Sequence, residues 1–223
     1  MKNPIYDAIV IGSGAAAYAA ACRIAQDGRK SVCIVTEDVL AGTSRNTGSD
    51  KQTYYKLNLG ASPEDSVERM ARDLFACGCV DGDNAFCEAA LSARCFFRLV
   101  ELGVPFPCGP FGEYTGYKTD HDPRMRASSC GPLTSKHMTE ALEAACHREN
   151  IPLSDGRRVI RILTDGGRAA GVIAMGEADV TPENPAGLSA VLGGAVIWAT
   201  GGPSAVYGAS VYPESQTGSL GVY

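Results

Sequence analysis

Long hydrophobic runs are missing from this chain. No apolar stretch approaches the roughly 20 residues a helix needs to cross a bilayer, so no membrane insertion is expected. Positive charge is also scarce: Lys and Arg number 20 against 25 Asp and Glu, for a net charge of −5. No basic cluster offsets that average, which argues against nucleic acid or an anionic membrane surface as a partner. Histidines are few, and none of His121, His137 and His147 pairs with a thiol at ligand spacing, so no metal site is expected. Nine cysteines include no C-x-x-C pair, and their odd count argues against a secreted disulfide framework. They are expected as buried or half-buried thiols in a reducing compartment. No Ser-His-Asp or Cys-His constellation can be argued from spacing, so no catalytic residue is assigned. The first strand is expected by about residue 6, leaving no room for a signal peptide, and the cytoplasm is the expected location.

What is present is a chain of 223 residues, 45% hydrophobic, enough for a sizeable core. Residues 6–11 (YDAIVI) form a nearly continuous apolar run ending at glycine, as in a strand buried on both faces. Residues 15–25 are alanine-rich and helix-favouring, and residues 31–35 (SVCIV) read as a second buried strand. Strand, glycine turn, helix and strand make a βαβ unit. The polar, turn-rich segment 42–57 is too long for a simple connector and reads as a binding loop. A helix is expected from Pro63 to Ala76, with Ser62 as its cap and Glu64 and Asp65 in its first turn. Another is expected over 83–102 with Phe86, Ala90, Ala93, Phe97 and Val100 facing the core.

Residues 103–132 are rich in Gly and Pro and resist a regular assignment. Within them, His121, Asp122, Arg124 and Arg126 could form an anion site, with surface ion pairing the better reading. A helix follows over 135–149, then a short strand at 151–153 and an antiparallel pair, 159–164 and 169–175, turning at Asp165-Gly166-Gly167. Residues 177–192 are expected as a loop excursion, and 195–199 (AVIWA) as a last buried strand running into Thr200-Gly201-Gly202.

Gly12-Ser13-Gly14-Ala15-Ala16-Ala17 is G-x-G-x-x-A, placed directly after a strand and opening a helix. Gly12 permits the tight turn, Gly14 lets the backbone approach a pyrophosphate, and Ala17 keeps the helix close to the sheet. The helix N-terminus supplies amide donors and positive dipole for the phosphates. The same fingerprint asks for an acid at the end of the second strand to accept from ribose hydroxyls. Glu37 stands there, with Thr36 as a weaker candidate. No basic residue lies at this strand end in the sequence, which disfavours a 2′-phosphate and hence NADP.

YDAIVIGSGAAA at the start, Thr43-Ser44 after the second strand, and AVIWATGG near the end together resemble the fumarate reductase, succinate dehydrogenase and aspartate oxidase flavoprotein family. The strand pair before ATGG is similar to that family's, and residues 212–223 (YPESQTGSLGVY) resemble its T-G-D-G region. The resemblance implies FAD held by Gly12, Gly14, Ala15 and Ala16 of the Gly12–Ser13–Gly14 turn at the pyrophosphate. Thr36 and Glu37 would face the adenosine ribose, and the Val159 backbone the adenine edge. Ala199, Thr200 and Gly201 would line the cofactor, and Thr43 and Ser44 would approach the phosphates and flavin. Covalent members carry a histidine where Ser44 stands here, so the FAD is expected to be non-covalent. Two departures stand out: Gly48-Ser49-Asp50-Lys51 replaces a Gly-Gly pair, and Thr217-Gly218-Ser219-Leu220 replaces T-G-D-G. Lys51 and Tyr54 are weighed as substrate contacts against solvated loop residues.

The expected fold class is α/β: a Rossmann-like FAD-binding fold whose mostly parallel sheet is flanked by helices and carries a small antiparallel meander. Residues 1–223 are expected to be the N-terminal portion of one FAD-binding domain, incomplete at the C-terminus, without the capping domain or the closing FAD segment. The expected function is two-electron redox on a small organic acid in the parent protein, with little turnover by this segment alone. Its electron partner is unassigned. Exposed apolar surface would invite self-association. Two alternatives are an NAD-dependent dehydrogenase, identical in fingerprint through Glu37, and a cofactor-binding module without activity of its own.

Overall fold

A computed structural model describes residues 5–26, 28–60, 64–202, 208, 209, 212 and 213. In chain order these form β1 (Ile5–Tyr6), β2 (Ala8–Ile11), α1 (Ala15–Ala25), β3 (Val32–Val35), α2 (Thr43–Asn46), β4 (Tyr54–Tyr55), α3 (Val67–Ala76) and α4 (Gly82–Glu101). There follow β5 (Tyr117–Thr119), β6 (Asp122–Ser128), α5 (Thr134–Arg148), β7 (Leu153–Ser154), β8 (Arg158–Asp165), β9 (Arg168–Met175), β10 (Leu188–Gly193) and β11 (Val196–Trp198). The chain divides into two units, Met1–Thr47 with Leu142–Tyr223, and Gly48–Ala141.

The first unit is built on an all-parallel sheet of order β11-β2-β3-β7. β2 and β3 are buried along their whole length, which is why both read as unbroken apolar runs. Alternation along each strand divides their side chains between two faces. One face, Ile9, Ile11, Cys33 and Val35, packs with Val159, Val172 and Ala174 of the antiparallel meander. α1 lies against β2, β3 and β11, and buries Ala17, Tyr18, Ala21 and Cys22 as one stripe. Alanine at these positions brings helix and sheet close. The turn from β8 to β9 falls at Gly166 and Gly167, both at positive φ (55° and 79°), as a two-residue hairpin requires.

The run 6–11 is two strands, not one. Asp7 breaks it, because its carboxylate accepts from the Ser31 amide (2.7 Å) and hydroxyl (2.9 Å). β1 then pairs with β10 in the meander sheet while β2 pairs in the parallel sheet. The segment 177–192, expected as a loop, supplies β10, which pairs antiparallel with β9 and completes a sheet of order β1-β10-β9-β8. The strand expected at 151–153 begins at Leu153, with the Pro152 carbonyl already accepting from the Ile34 amide (2.9 Å).

The second unit differs from expectation more. Its first helix starts at Val67 with Ser66 as cap, the Ser66 hydroxyl accepting from the Arg69 amide; the proposed cap Ser62 and opening Pro63 lie outside the described residues. Asp65 is thereby free of the helix. In α4 the buried stripe is Ala85, Ala89, Ser92, Phe96 and Leu99, one residue before the expected one, and Phe86 and Phe97 are exposed. Two neighbouring stripes of this helix are apolar, and periodicity alone does not choose between them. Both stripes carry two alanines, and it is Ala85 and Ala89 that pack with Met70 and Ala71 of α3. The irregular segment 103–132 contains β5 and β6, which form a three-stranded sheet with β4.

Candidate functional site

The glycine turn stands where the sequence places it. Its geometry explains why glycine is required. Gly12 leaves β2 at φ +112°, and a Cβ built on it would lie 2.5 Å from the Ala199 carbonyl oxygen. Backbone cannot retreat from such a contact, because the Ala199 amide donates to the Ile11 carbonyl at 2.9 Å. Gly14 is the residue before the first turn of α1 and brings no side chain to its amides, and no acidic residue stands in that turn. The donors at this helix end and the positive dipole therefore point into open space.

That space is a cleft of about 660 Å³, bounded by Gly12, Ser13, Gly14 and Ala16 at the turn and Thr36 and Glu37 at the end of β3. Thr43 and Ser44 of α2, Val159 of β8, and Ala199, Thr200 and Gly201 after β11 complete the expected set; among the expected residues Ala15 alone is outside the lining. The volume is within the range of roughly 300–1,000 Å³ seen for small-molecule and cofactor sites. A helix N-terminus opening on a cleft of this size, beside backbone that leaves no room for a Cβ, fits a phosphate-linked dinucleotide.

Two side chains have other duties than the sequence assigns. The Thr36 hydroxyl donates to Ser13 Oγ (3.0 Å), and Ser13 donates to the Asp38 carbonyl (3.1 Å). Both hydroxyls are buried, so they brace the glycine turn against the end of β3, and Glu37 is the more exposed of the two groups that line the cleft at this strand end. Glu37 in turn carries an ion pair with Arg158. The reading that no basic residue stands at this strand end is overturned. Arg157 and Arg158 both line the cleft, delivered by the start of β8, and the Arg157 amide donates to the Thr36 carbonyl at 2.9 Å. Their distance in sequence hid them, although they immediately precede Val159, which the reading did single out. Trp198, the single tryptophan of the chain, also lines the cleft; its position just before Ala-Thr-Gly-Gly was the available signal.

α2 is held from below. Arg45 donates to Glu143 of α5 at 2.7 Å, and the Tyr18 hydroxyl of α1 donates to the same carboxylate at 3.1 Å. Burial, then the adjacent Glu143 carboxylate, push the Tyr18 phenol up, so it stays a donor. This triad ties the Thr43-Ser44 segment to the helix that carries the glycine turn, and Ser44 Oγ sits 3.3 Å from where a Gly14 Cβ would be.

Other singled-out residues are drawn elsewhere. Arg126, expected at a surface, is fully buried. It forks onto Asp65 (2.6 and 2.7 Å), and also donates to Asp73 (2.8 Å) and to the Tyr55 hydroxyl (2.9 Å). These carboxylates and the phenol surround the guanidinium, so its pairing is with the protein's own acids. Lys51 pairs with Asp120 at 3.3 Å on the surface, and the Tyr54 hydroxyl donates to the Ser92 carbonyl at 3.0 Å. Of the cysteines, Cys77, Cys79, Cys87, Cys95 and Cys108 are exposed, contrary to the expectation of buried or half-buried thiols; Cys22, Cys33 and Cys146 are buried. Among the described residues no group of His, Cys, Asp and Glu could hold a metal ion, and no helix is long and apolar enough to cross a membrane. The segment Thr217-Gly218-Ser219-Leu220 lies outside the described residues.

A parallel sheet, a glycine turn at its first helix and a cleft across the ends of β2, β3 and β11 define a Rossmann-like dinucleotide-binding α/β protein. The family model of the FAD binding domain matches residues 7–220, and the chain belongs to that family, whose cofactor is FAD. It is 27% identical over 218 residues to an L-aspartate oxidase of Mycobacterium leprae (strain TN), covering 95% of this chain and 38% of the relative. It is likewise 27% identical over 216 residues to an L-aspartate oxidase of Streptomyces coelicolor, covering 95% of this chain and 36% of that one. Among solved structures, an E. coli quinol fumarate reductase superposes with a TM-score of 0.80 at 21% identity over 96% of this chain and 36% of its own. The chain thus spans a little over a third of the length of the curated relatives it matches.

Proposed function

We propose that this chain holds the FAD of a flavoprotein oxidoreductase that carries out two-electron redox on a small organic acid in the cytoplasm. The observation that carries the reading is the open N-terminus of α1, facing a cleft whose floor at Gly12 excludes even a methyl group. In this reading the first amides of α1 and the Gly12–Ser13–Gly14 backbone bind the pyrophosphate, with Ala15 and Ala16 beside it. Glu37 accepts from the adenosine ribose, Val159 meets the adenine, and Thr43 and Ser44 approach the phosphates and flavin. Ala199, Thr200 and Gly201 line the cleft beside Gly12. Residues 1–223 then belong to one FAD-binding domain, the unit Gly48–Ala141 being inserted between α2 and the end of α5. When bound, FAD supplies hydride-transfer chemistry; the chain's own residues orient it and set its surroundings.

The proposed substrate class is supported by the names of the relatives, L-aspartate oxidases, which point to small organic acids. Ser44 at the position of the covalent histidine supports a dissociable flavin. Purified protein should be yellow, and denaturation should release FAD into the filtrate. Tight NAD binding by a colourless protein sinks the reading. Bleaching of the bound flavin of the parent protein by aspartate, or reoxidation of its reduced flavin by fumarate, tests the substrate class. A parent flavin that neither acid moves removes it.

A further inference from the structure

We propose that Cys22 and Cys146 form a modification site, a buried dithiol that a small peroxide oxidises to a disulfide clasping α1 to α5. The two sulfurs stand 3.1 Å apart, one on each helix. A disulfide bond is about 2.05 Å long, so closure asks the sulfurs to approach by about 1 Å. A second contact joins the same faces of the two helices. Tyr18 precedes Cys22 by one turn of α1, Glu143 precedes Cys146 by one turn of α5, and the Tyr18 hydroxyl donates to Glu143 at 3.1 Å. Each thiol also lies 3.5 Å from a carbonyl of the facing helix, Cys22 from Leu142 and Cys146 from Tyr18. These contacts fix the register of the pair and keep the sulfurs opposite each other.

Cys22 and Cys146 are 4% and 3% exposed, so bulky disulfides are kept out and a small uncharged oxidant, hydrogen peroxide, is the class that fits. The hydrogen bond to Cys22, then burial, push the Cys146 thiol up, so Cys146 stays the proton donor of the pair. The Cys22 sulfur attacks one peroxide oxygen and the O–O bond breaks. The Cys22 proton leaves with the other oxygen as water, and a sulfenic acid remains on Cys22. The Cys146 sulfur then displaces that hydroxyl, its own proton completes a second water, and the S–S bond forms. Two thiols give up two electrons, and one peroxide becomes two waters. The new bond joins residues 124 apart and closes a loop that contains the whole unit Gly48–Ala141. A cross-link of that span restricts the unfolded chain, so the first unit should become harder to unfold.

The test uses the full chain with its exposed thiols, Cys77, Cys79, Cys87, Cys95 and Cys108, first blocked in the folded state by a bulky fluorescein maleimide. Hydrogen peroxide is then added and removed with catalase, the protein is denatured, and remaining thiols are capped with N-ethylmaleimide before peptide mapping. The expected product is a peptide pair joined through Cys22 and Cys146 and parted by dithiothreitol, with the buried Cys33 recovered as its N-ethylmaleimide adduct. Trp198, the single tryptophan, lies in the first unit and reports its unfolding by fluorescence. Oxidation should raise its urea midpoint by about 1 M, and dithiothreitol should reverse the rise. Cys146→Ser should show neither the link nor the rise. Recovery of both Cys22 and Cys146 as N-ethylmaleimide adducts, at peroxide concentrations that oxidise the exposed thiols of unblocked protein, overturns the site. A link that leaves the midpoint unmoved overturns the clasp. Neither result touches the FAD reading, since no step here involves the cleft.

Discussion

The two units of this chain are held together by different chemistry. In the first, order comes from backbone and from small apolar side chains: β2 and β3 buried throughout, alanines against the sheet, and glycines where a Cβ has no room. In the second, order comes from specific polar partners. A buried Arg126 gathers Asp65, Asp73 and Tyr55, and Lys56 is buried beside the Phe96 ring, 5.0 Å from its centroid, with the Tyr114 carbonyl at 3.4 Å. Backbone-held structure leaves a local signature in sequence, since each glycine or apolar run stands next to what it builds. Partner-held structure does not, because the charges that meet are scattered along the chain. The first unit should therefore be sensitive at few positions and the second at paired ones.

The largest effect is expected at Arg126. Arg126→Ala leaves Asp65 buried and unpaired and should lower stability by about 3–5 kcal/mol, read as a shift in the urea midpoint. A shift comparable to a surface substitution would show that the second unit does not depend on this partner. Next comes the first unit's most constrained position. Gly12→Ala places a methyl against the Ala199 carbonyl at positive φ, costing about 1–3 kcal/mol and abolishing FAD retention. Normal flavin content in that variant would deny the backbone its role.

Acid supplies a third contrast. Burial pushes the Asp65 carboxyl up, but hydrogen bonds from Arg126 and the Asn58 and Ser66 amides outweigh it, and its pKa lies below the ordinary 3.8. A carboxyl with a depressed folded pKa contributes stability that is whole above its unfolded value and disappears as pH falls through the folded one. The second unit should thus lose protection of its α3 and α4 amides to hydrogen exchange as pH drops below about 4. Asp65→Asn should flatten that dependence; an unchanged profile would remove Asp65 as its source. The smallest effect concerns Lys56, whose ammonium burial pushes down from its usual value. Lys56→Met should be neutral or stabilising by about 1 kcal/mol in the same urea measurement, because it removes a buried charge that has few partners. A loss instead would mean that the ring and carbonyl fully compensate its desolvation.

The glycine turn, the four parallel strands and the β8–β9 hairpin were legible from residues alone, because each rests on neighbours in sequence; Thr43, Ser44, Val159, Ala199, Thr200 and Gly201 of the cleft came from the family resemblance instead. α4 was legible as a helix but not in its facing, since two adjacent stripes were apolar and only the packing against α3 decides between them. β10 was not legible. Its alternation is weak, and it becomes a strand because β9 and β1 offer it edges on both sides.

Local pattern by itself determined the strand, glycine turn and helix start on which the proposed cofactor site rests, because a tight turn, a close backbone approach and a helix end are properties of consecutive residues. Only the tertiary structure decided the charge at the end of β3. Arg158 reaches Glu37, and the Arg157 amide the Thr36 carbonyl, across more than half the chain, and electrostatic neighbours are set by distance in space, about which spacing along the sequence is silent.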